Sequence, residues 1–462
     1  MMGVVSSTPN TAIAPARRCA FAVLRRVFER GAYADLALQA EAAGLDRRDR
    51  ALAMRLAYGA VQRKGTLDHL IGQLAERPPQ RLDPPVLAAL RLGLYELLYL
   101  SGSPDRAVVA DAVELAKTQG RGGHGLVNAV LRRAAREGPQ TLLGSLGDAT
   151  PEQAAVKHSH PEWIARLWWQ RLGADDARAL MGYDNEPGEL ALRTNTLVTD
   201  TATLASDLHA AAVATHPDPL LPEAVVLDGP LDVHASPLWK EGAFHAQSRA
   251  AMHVARALAP SSGERVLDLC AAPGGKTTHL AALMEGGGEV LAVERNRRRA
   301  GELTRTAARL RADNVRVEIG EAAENRRDGP FDRVLVDPPC SGLGTLQARA
   351  DLRWRVTPAA VAEMAQTQAE ILAAAANALR PGGVLVYSTC TISPTENEHA
   401  VSNFLDSHDD FSLDDLASEL PAFALGRSLP DPSERSPAAG AVLTLPHRDR
   451  TAGFFIARLR RS

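Results

Sequence analysis

The chain is 462 residues long and carries 52 Lys+Arg against 55 Asp+Glu, a formal net charge of −3. Its 45% hydrophobic and 23% charged residues are those of a globular protein with room for several domains, which excludes a collagen, a coiled coil and a mostly disordered chain. A balance so near neutral gives no sign of a nucleic-acid partner and, taken alone, favours a small-molecule enzyme.

The first fourteen residues are small and polar, without the basic-then-apolar pattern of a secretion signal. No run reaches the ~18 apolar residues of a spanning helix. Four scattered cysteines, Cys19, Cys270, Cys340 and Cys390, include no C-x-x-C pair, which argues against a disulfide framework and a structural zinc site. The expectation is a reduced, cytoplasmic, metal-free protein with no membrane partner.

Residues 15–140 read as an all-α domain. Apolar positions recur at helical spacing in Phe21-Val23-Leu24-Val27-Phe28, in Leu52-Met54-Leu56-Ala57-Val61 and in Val86-Leu87-Leu90-Leu94-Leu97-Leu98. Breaks are expected at Gly31, Pro78-Pro79, Pro84-Pro85, Ser103-Pro104 and Gly120 to Gly125, with Asp83 as an N-cap before proline. Residues 15–138 hold 20 Lys+Arg and 13 Asp+Glu, a net of +7, so the remainder of the chain sums to −10. Part of that remainder is the Pro-, Ser- and Ala-rich stretch 403–440, with eight acids against Arg427 and Arg435, which reads as a solvated loop or insertion.

Residues 141–250 read as a connector, up to about residue 165, and a small α+β segment. Helix is expected at Pro161–Leu172 and strands at Leu190–Arg193 and Ala224–Leu227. Over 251–462 short β-branched runs take over: Arg265–Cys270, Glu289–Val293, Val315–Ile319, Arg333–Val336 and Val384–Thr389. Helices fit between them at 276–284, 297–311 and 358–380. Such alternation predicts a doubly wound, Rossmann-like α/β sheet of parallel strands. A hairpin of Ala441–Leu445 with Phe454–Leu459 adds antiparallel strands at one edge.

Ligands of a doubly wound sheet lie beyond the carboxyl ends of its strands, so the residues just after each strand form the candidate site. After the first come Asp268, Leu269, Cys270, Ala271, Ala272, Pro273, Gly274, Gly275, Lys276, Thr277 and Thr278. The two glycines admit a ligand close to the backbone, and the helix start offers free N–H groups. A phosphate loop is disfavoured, because Cys270 stands where that motif needs glycine. Glu294, after the second strand, is placed to hydrogen-bond a ribose diol; Glu321, after the third, occupies the equivalent position for an adenine, although an exposed loop acid explains it equally well. After the fourth strand stands Asp337-Pro338-Pro339-Cys340-Ser341-Gly342, and after the fifth Tyr387-Ser388-Thr389-Cys390. Ser393-Pro394-Thr395-Glu396 reads as a capping box that anchors the next helix and holds the Cys390 loop.

A lone cysteine at a strand end is more often an inert hydrophobe than a nucleophile. Two at the strand tips of one sheet, beside Asp337, point to chemistry. Carbon 5 of cytosine is a poor nucleophile until a thiolate adds to carbon 6 and makes it an enamine. An aspartate can hold the pyrimidine's nitrogen edge as charge develops. A second thiol suits removal of the carbon 5 proton, which frees the first. The residues alone leave open which thiol attacks.

The string Asp268–Thr278, the Asp337–Gly342 rim, Asp351-Leu352-Arg353-Trp354, Ser388-Thr389-Cys390 and Gly453-Phe454-Phe455 resemble the NOL1/NOP2/Sun family of RNA cytosine-C5 methyltransferases. Ala57-Tyr58-Gly59 and Leu126-Val127-Asn128-Ala129-Val130-Leu131-Arg132 resemble the NusB-type RNA-binding domain fused in the bacterial Sun subgroup, which modifies 16S ribosomal RNA. The resemblance spans residues 15–140 and 155–460, roughly the whole chain. It implies S-adenosylmethionine as cofactor, lined by Cys270, Ala271, Ala272, Pro273, Gly274, Gly275, Lys276, Glu294, Glu321 and Asp337. It further implies Cys390 as nucleophile, Cys340 assisting release of the methylated base, and Asp337 contacting the cytosine. The partner implied is small-subunit ribosomal RNA; nothing in the sequence demands more than a monomer.

The chain departs from the family pattern in places. Glu294 and Glu321 replace the usual aspartates, and the rim reads Asp-Pro-Pro-Cys for Asp-Ala-Pro-Cys. Gln347-Ala348-Arg349-Ala350 keeps one basic residue of the run that often precedes Asp-x-Arg-Trp. Candidates for phosphate contact are the +7 helical domain and Arg295, Arg297, Arg298, Arg299, Arg305, Arg309 and Arg311, which otherwise read as a solvated helix face. Trp239-Lys240-Glu241-Gly242 and Gln247 resemble the family's pre-catalytic segment, or else pack against the sheet. Three alternatives stay open: another RNA, such as tRNA, as substrate; methylation of an exocyclic amine or protein side chain, which an aromatic in place of Cys340 would suit better; and a non-catalytic NusB-like RNA-binding factor, against which the intact Asp337, Cys340 and Cys390 stand.

Overall fold

The computed structural model describes residues 13–119, 122–326, 328–428 and 439–462. Residues 1–12, most of those read for a secretion signal, and 429–438 of the acidic stretch therefore lie outside the described residues; the rest of 403–440, expected as a solvated loop, instead carries the end of a helix (Glu398–Ser407), a strand (Phe411–Leu413) and two short helices (Leu416–Glu419 and Leu425–Ser428). The chain divides into two units. The first runs to Trp169 and takes back Arg349–Arg355 from far along the sequence; the second comprises Gln170–Ala348 and Val356–Ser462.

The first unit is helical: α1 (Pro15–Arg30), α2 (Ala34–Glu41), α3 (Arg47–Gln62), α4 (Lys64–Ala75), α5 (Pro84–Tyr99), α6 (Asp105–Gln119) and α7 (His124–Gly144). Gly31 closes α1 in the left-handed conformation at φ +66°, which glycine adopts without a Cβ penalty. Asp83 does occupy the N-cap of α5, but its side chain makes no capping bond; Pro84, with φ already helical, starts the helix unaided. Phe21, Leu24, Leu56, Leu90 and Leu131 meet in one core, each worth ~1.5–3 kcal/mol of burial. The connector expected near residue 150 contains a further helix, Pro151–Lys157, begun by the Thr150 side chain accepting from the Gln153 N–H.

The returning segment is built into this helical core. Ala350 is buried there. The Trp354 indole N–H donates to the Val61 carbonyl at 2.8 Å, and the Lys64 ammonium lies 4.8 Å from its ring. Arg353 is fully buried and donates to the Ser159 carbonyl at 3.1 Å. Arg355 donates to the carbonyls of Gly31 and Ala32 at 2.9 and 3.1 Å. The Asp351–Trp354 string is thus an element of the helical unit.

The second unit holds two sheets. The small one is antiparallel, ordered β2-β3-β1-β4, from β1 (Ala191–Thr194), β2 (Thr215–Pro217), β3 (Ala224–Leu227) and β4 (Phe244–Ala246). The large one contains β5 (Arg265–Leu269), β6 (Glu289–Val293), β7 (Val315–Glu318), β8 (Phe331–Val336), β9 (Leu379–Thr389), β10 (Phe411–Leu413), β11 (Val442–Leu443) and β12 (Phe455–Arg461). Its order is β10-β12-β9-β8-β5-β6-β7, with β11 paired to β12. Strands β5 to β9 run parallel, whereas β10, β11 and β12 are antiparallel, so the sheet is mixed.

Val266, Leu291, Val334 and Leu385 are fully buried, as parallel strands covered on both faces must be. The strand order reverses between β5 and β8, with β6 and β7 to one side and β9 to the other. That switch point is where an open α/β sheet leaves a crevice for ligands. Among the described residues no helix is long and apolar enough to cross a membrane.

Candidate active site

At the end of β5 the chain turns through Cys270, at φ +69°, into the helix Gly275–Leu283. Asp268 is buried, and its carboxylate accepts the Thr277 hydroxyl at 2.6 Å, pinning the helix start to the strand end. Gly274 sits at φ +105°, and a Cβ there would stand 2.4 Å from Leu303. Backbone conformation and packing therefore require this glycine, where ligand approach was the reason expected. The Cys270 thiol is pushed up to about 12, first by burial and then by Asp337 and Asp268, so it is a poor nucleophile.

Burial raises the Asp268 carboxyl to about 7, with Asp337 adding and Thr277 opposing. A folded state that holds this proton above the ordinary carboxylate pKa is favoured at low pH and loses that advantage as pH climbs from about 4 to about 7. Asp268→Asn, which still offers Thr277 an acceptor, is expected to flatten the fall of the urea midpoint across that window. An unchanged slope would assign it to another group.

Glu294, at the end of β6, is buried. Its Oε1 accepts from the Asn296 N–H at 2.8 Å and its Oε2 lies 3.5 Å from Arg299, which also donates to the Ala272 carbonyl at 2.6 Å. One arginine thus ties the β5 and β6 loops together. Glu321 is exposed in the turn past β7. That strand stops at Glu318, one residue short of expectation, where its ladder with β6 ends at Val293 opposite Glu318; the Glu318 carboxylate is held by Arg326 at 2.7 and 2.9 Å. Gln247 carries a buried side-chain amide with no hydrogen-bond partner, and its Oε1 would lie 3.7 Å from a Cβ on Gly275.

The ends of β5, β8 and β9 converge on Asp337. Its Oδ2 accepts from the Lys276 ammonium at 2.7 Å and its Oδ1 from the Ser388 hydroxyl at 3.0 Å. Burial works against the Lys276 charge, but Asp337 outweighs it and Cys390 adds to the effect, so the ammonium is held above its usual range. The Sγ atoms of Cys340 and Cys390 are 3.3 Å apart, and both residues are half-buried. Cys340 is raised well above the ordinary thiol range by its hydrogen bond to Cys390, then by burial and the Cys390 charge, with smaller contributions from Glu396 and Asp337. Behind the Cys390 loop the Gly344 N–H donates to the Cys390 carbonyl at 3.0 Å and the Gly453 N–H to the Gly344 carbonyl at 2.7 Å. A Cβ on Gly344 would stand 2.0 Å from the Gly453 carbonyl oxygen, so the Gly453-Phe454-Phe455 string closes on the site through its backbone.

The capping box expected at Ser393–Glu396 does not form. Pro394–Glu396 is a single 3₁₀ turn, Ser393 makes no side-chain cap, and the following helix begins only at Glu398. Glu396 is fully buried and accepts instead from the Ser341 amide and hydroxyl. The arginine-rich helix Arg297–Arg309 divides similarly. Arg309 donates to the carbonyls of Trp239 and Phe244 at 2.8 and 3.0 Å, so it and Trp239 pack the second unit, while Arg295, Arg297, Arg298, Arg305 and Arg311 are exposed. Among the described residues no group of three His, Cys, Asp or Glu is placed to hold a metal ion.

Comparison with known families matches residues 255–460 to 16S rRNA methyltransferase RsmB/F, residues 14–136 to the NusB family and residues 160–234 to the ferredoxin-like domain of RsmF/B-like methyltransferases. A Synechocystis protein named "Probable ribosomal RNA small subunit methyltransferase B" is 36% identical over 97% of this chain and 99% of its own length. The crystal structure of PH0851 matches with a TM-score of 0.81 and 26% identity, covering 98% of this chain and 99% of that one. NSun6 from Pyrococcus horikoshii, solved with SFG, shares the fold at a TM-score of 0.57 and 23% identity, over 65% of this chain and 98% of its own.

Proposed function

The chain belongs to the RsmB/F family of 16S rRNA methyltransferases, with a fused NusB-like domain, and we propose that it methylates carbon 5 of a cytosine in small-subunit ribosomal RNA through a covalent adduct with Cys390. The observation that carries this reading is the pair of thiols 3.3 Å apart beside the Lys276–Asp337 ion pair.

S-adenosylmethionine, when bound, supplies an electrophilic methyl group. The residues that would hold it are Cys270 to Lys276, Glu294 for the ribose diol, Glu321 toward the adenine, and Asp337. They suit a nucleoside rather than a phosphate: Glu294 is a buried acceptor, the Gln247 amide is unsatisfied, and the loop lysine is already paired to Asp337. SFG, bound in the NSun6 structure, is an analogue of S-adenosylmethionine.

Cys390 adds to carbon 6 of the cytosine, and the displaced π pair makes carbon 5 nucleophilic toward that methyl group. Lys276 puts positive charge beside Cys390, as a thiolate nucleophile requires, and Asp337 steadies the pyrimidine's nitrogen edge. Carbon 5 then carries both methyl and hydrogen. Once Cys390 is an uncharged thioether, the strongest influence opposing ionisation of Cys340 is gone, and Cys340 gives its proton to solvent. Its thiolate then takes the carbon 5 proton, the C–H pair becomes the C5–C6 double bond, and the C6–S pair returns to Cys390. One proton leaves per methyl transferred, and the starting thiol and thiolate are restored.

A stacked cytosine must first be flipped out, at ~a few kcal/mol. The first unit, whose residues 15–138 carry a net +7, and the exposed arginines at 295, 297, 298, 305 and 311 supply phosphate contacts.

RNA carrying 5-fluorocytosine at the target blocks the release step, because fluorine cannot leave as a cation. It is expected to form a denaturation-resistant complex with the parent protein and with Cys340→Ala, and none with Cys390→Ala. A complex that survives Cys390→Ala and is lost with Cys340→Ala reverses the two roles. No complex and no methyl transfer to small-subunit ribosomal RNA removes the reading.

A further inference from the structure

Two thiols 3.3 Å apart can exchange roles unless something outside the pair tells them apart. The network around Glu396 does so. Its carboxylate accepts from the Ser341 amide at 2.8 Å and from the Ser341 hydroxyl, and that hydroxyl shares a bond with Thr391 at 2.7 Å. The Gln368 side-chain amide donates to the Pro339 carbonyl at 2.9 Å and to Glu396 at 3.2 Å. The Tyr387 hydroxyl donates to the Glu396 carbonyl at 2.6 Å and lies 3.1 Å from Gln368 Oε1. Pro339 and Ser341 flank Cys340 in the chain; Tyr387 and Thr391 bracket Cys390. Glu396, Ser341, Gln368, Tyr387 and Thr391 are all fully buried.

We propose that Glu396 is the positioning residue of the second thiol: by gripping both hydrogen-bond donors of Ser341 it sets Cys340 against Cys390, and so governs release of the methylated base rather than methyl transfer. The proposal rests on the assignment of Cys390 as nucleophile and Cys340 as the group that assists release. Geometry favours it: both donors of Ser341, the residue after Cys340, end on the carboxylate, whereas on the Cys390 side, among the described residues, Thr391 alone meets it, sharing the Ser341 hydroxyl, and Tyr387 reaches only the Glu396 main-chain carbonyl. The charge that Glu396 adds near Cys340 acts in the same direction, disfavouring a thiolate there while Cys390 attacks, and making that thiolate a stronger base when it forms.

The test separates the first turnover from later ones, with ordinary cytosine RNA and full-length protein. Glu396→Gln replaces an acceptor oxygen with a donor facing the two Ser341 donors. It is expected to transfer the first methyl group within about threefold of the parent rate, while steady-state turnover falls about tenfold or more and a denaturation-resistant RNA complex accumulates, as with Cys340→Ala. Ser341→Ala is expected to move the same readouts by a smaller factor. The double variant Cys340→Ala/Glu396→Gln should match Cys340→Ala alone, because both act on one step. Equal slowing of first and later turnovers, or effects that multiply in the double variant, overturns the proposal. So does loss of the cooperative unfolding transition in both Glu396→Gln and Ser341→Ala, which would make the network a folding element. Failure of the underlying assignment shows separately, in the parent protein, as a 5-fluorocytosine complex that does not map to Cys390.

Discussion

Replacing Lys276 with Met is expected to slow covalent addition to 5-fluorocytosine RNA about a hundredfold and to move the rising limb of its pH profile to higher pH. Lys276 is bonded to Asp337 at 2.7 Å, and Cys390 contributes to holding its proton. Met keeps the stem that lies against Phe454, whose ring is 4.9 Å from the ammonium, but leaves Asp337 without its counter-charge beside two sulfurs. Removing one partner of a buried pair costs ~3–5 kcal/mol. Asp337 is about a quarter exposed, which reduces the penalty to ~2–3 kcal/mol; the uncompensated carboxylate opposes the Cys390 thiolate and not its thiol, so the penalty falls on the addition step, a factor of roughly 30–150 at ~1.4 kcal/mol per tenfold. Lys276→Arg keeps the charge and should retain most of the rate. Quenched-flow sampling on denaturing gels across pH measures both effects; a slowed rate with an unmoved pH profile would show that the nucleophile does not feel the lysine's charge.

Trp354→Ala is expected to destabilise the first unit by about 3 kcal/mol and leave the second unit's transition in place. The indole gives up its bond to the Val61 carbonyl and its contact with the Lys64 ammonium, and it leaves a cavity among Ala350 and its helical neighbours. Truncation of a large aromatic costs ~3–5 kcal/mol when fully buried, and Trp354 is partly buried. Trp354→Phe keeps the ring and loses the N–H, a change of about 1 kcal/mol. Urea unfolding followed by circular dichroism checks both. A shift confined to the second unit's transition would show that the segment does not belong to the helical core.

Strand ends were the most legible part of this site. In a parallel sheet the residue after each strand faces the crevice whatever the details, so Asp337, Cys340 and Cys390 could be picked out by position and chemistry. The helical breaks were equally plain, since Gly31 and Pro84 act locally. What the sequence hid depends on partners far away in the chain. Glu396 has the spacing of a capping residue, and only the fold brings Ser341, 55 residues earlier, within its reach. Arg309 looks like one of seven solvated arginines until Trp239 and Phe244 are seen to accept its N–H groups. Asp351–Trp354 stands out in the sequence only as a string of the family resemblance, which says nothing of where it packs, yet its hydrogen bonds lie in the helical unit. Strand β10 has three residues, too few for alternation to register. Net charge misled for a related reason: −3 averages a +7 helical region over an acidic remainder.

Strand β12 sets a timetable for the site. β9, which delivers Cys390, is paired with β8 on one side and β12 on the other, with Thr389 opposite Phe455 and Ser388 opposite Ile456. Those partners are separated by 66 and 68 positions of chain. During synthesis at ~5–20 residues per second, the outer edge of β9 waits about 3–14 s for its neighbour. A long-range antiparallel pairing is also among the slower steps of folding. Both thiols therefore leave the ribosome well before the sheet that aligns them is complete, and catalytic competence arrives as a late event in the life of each new chain.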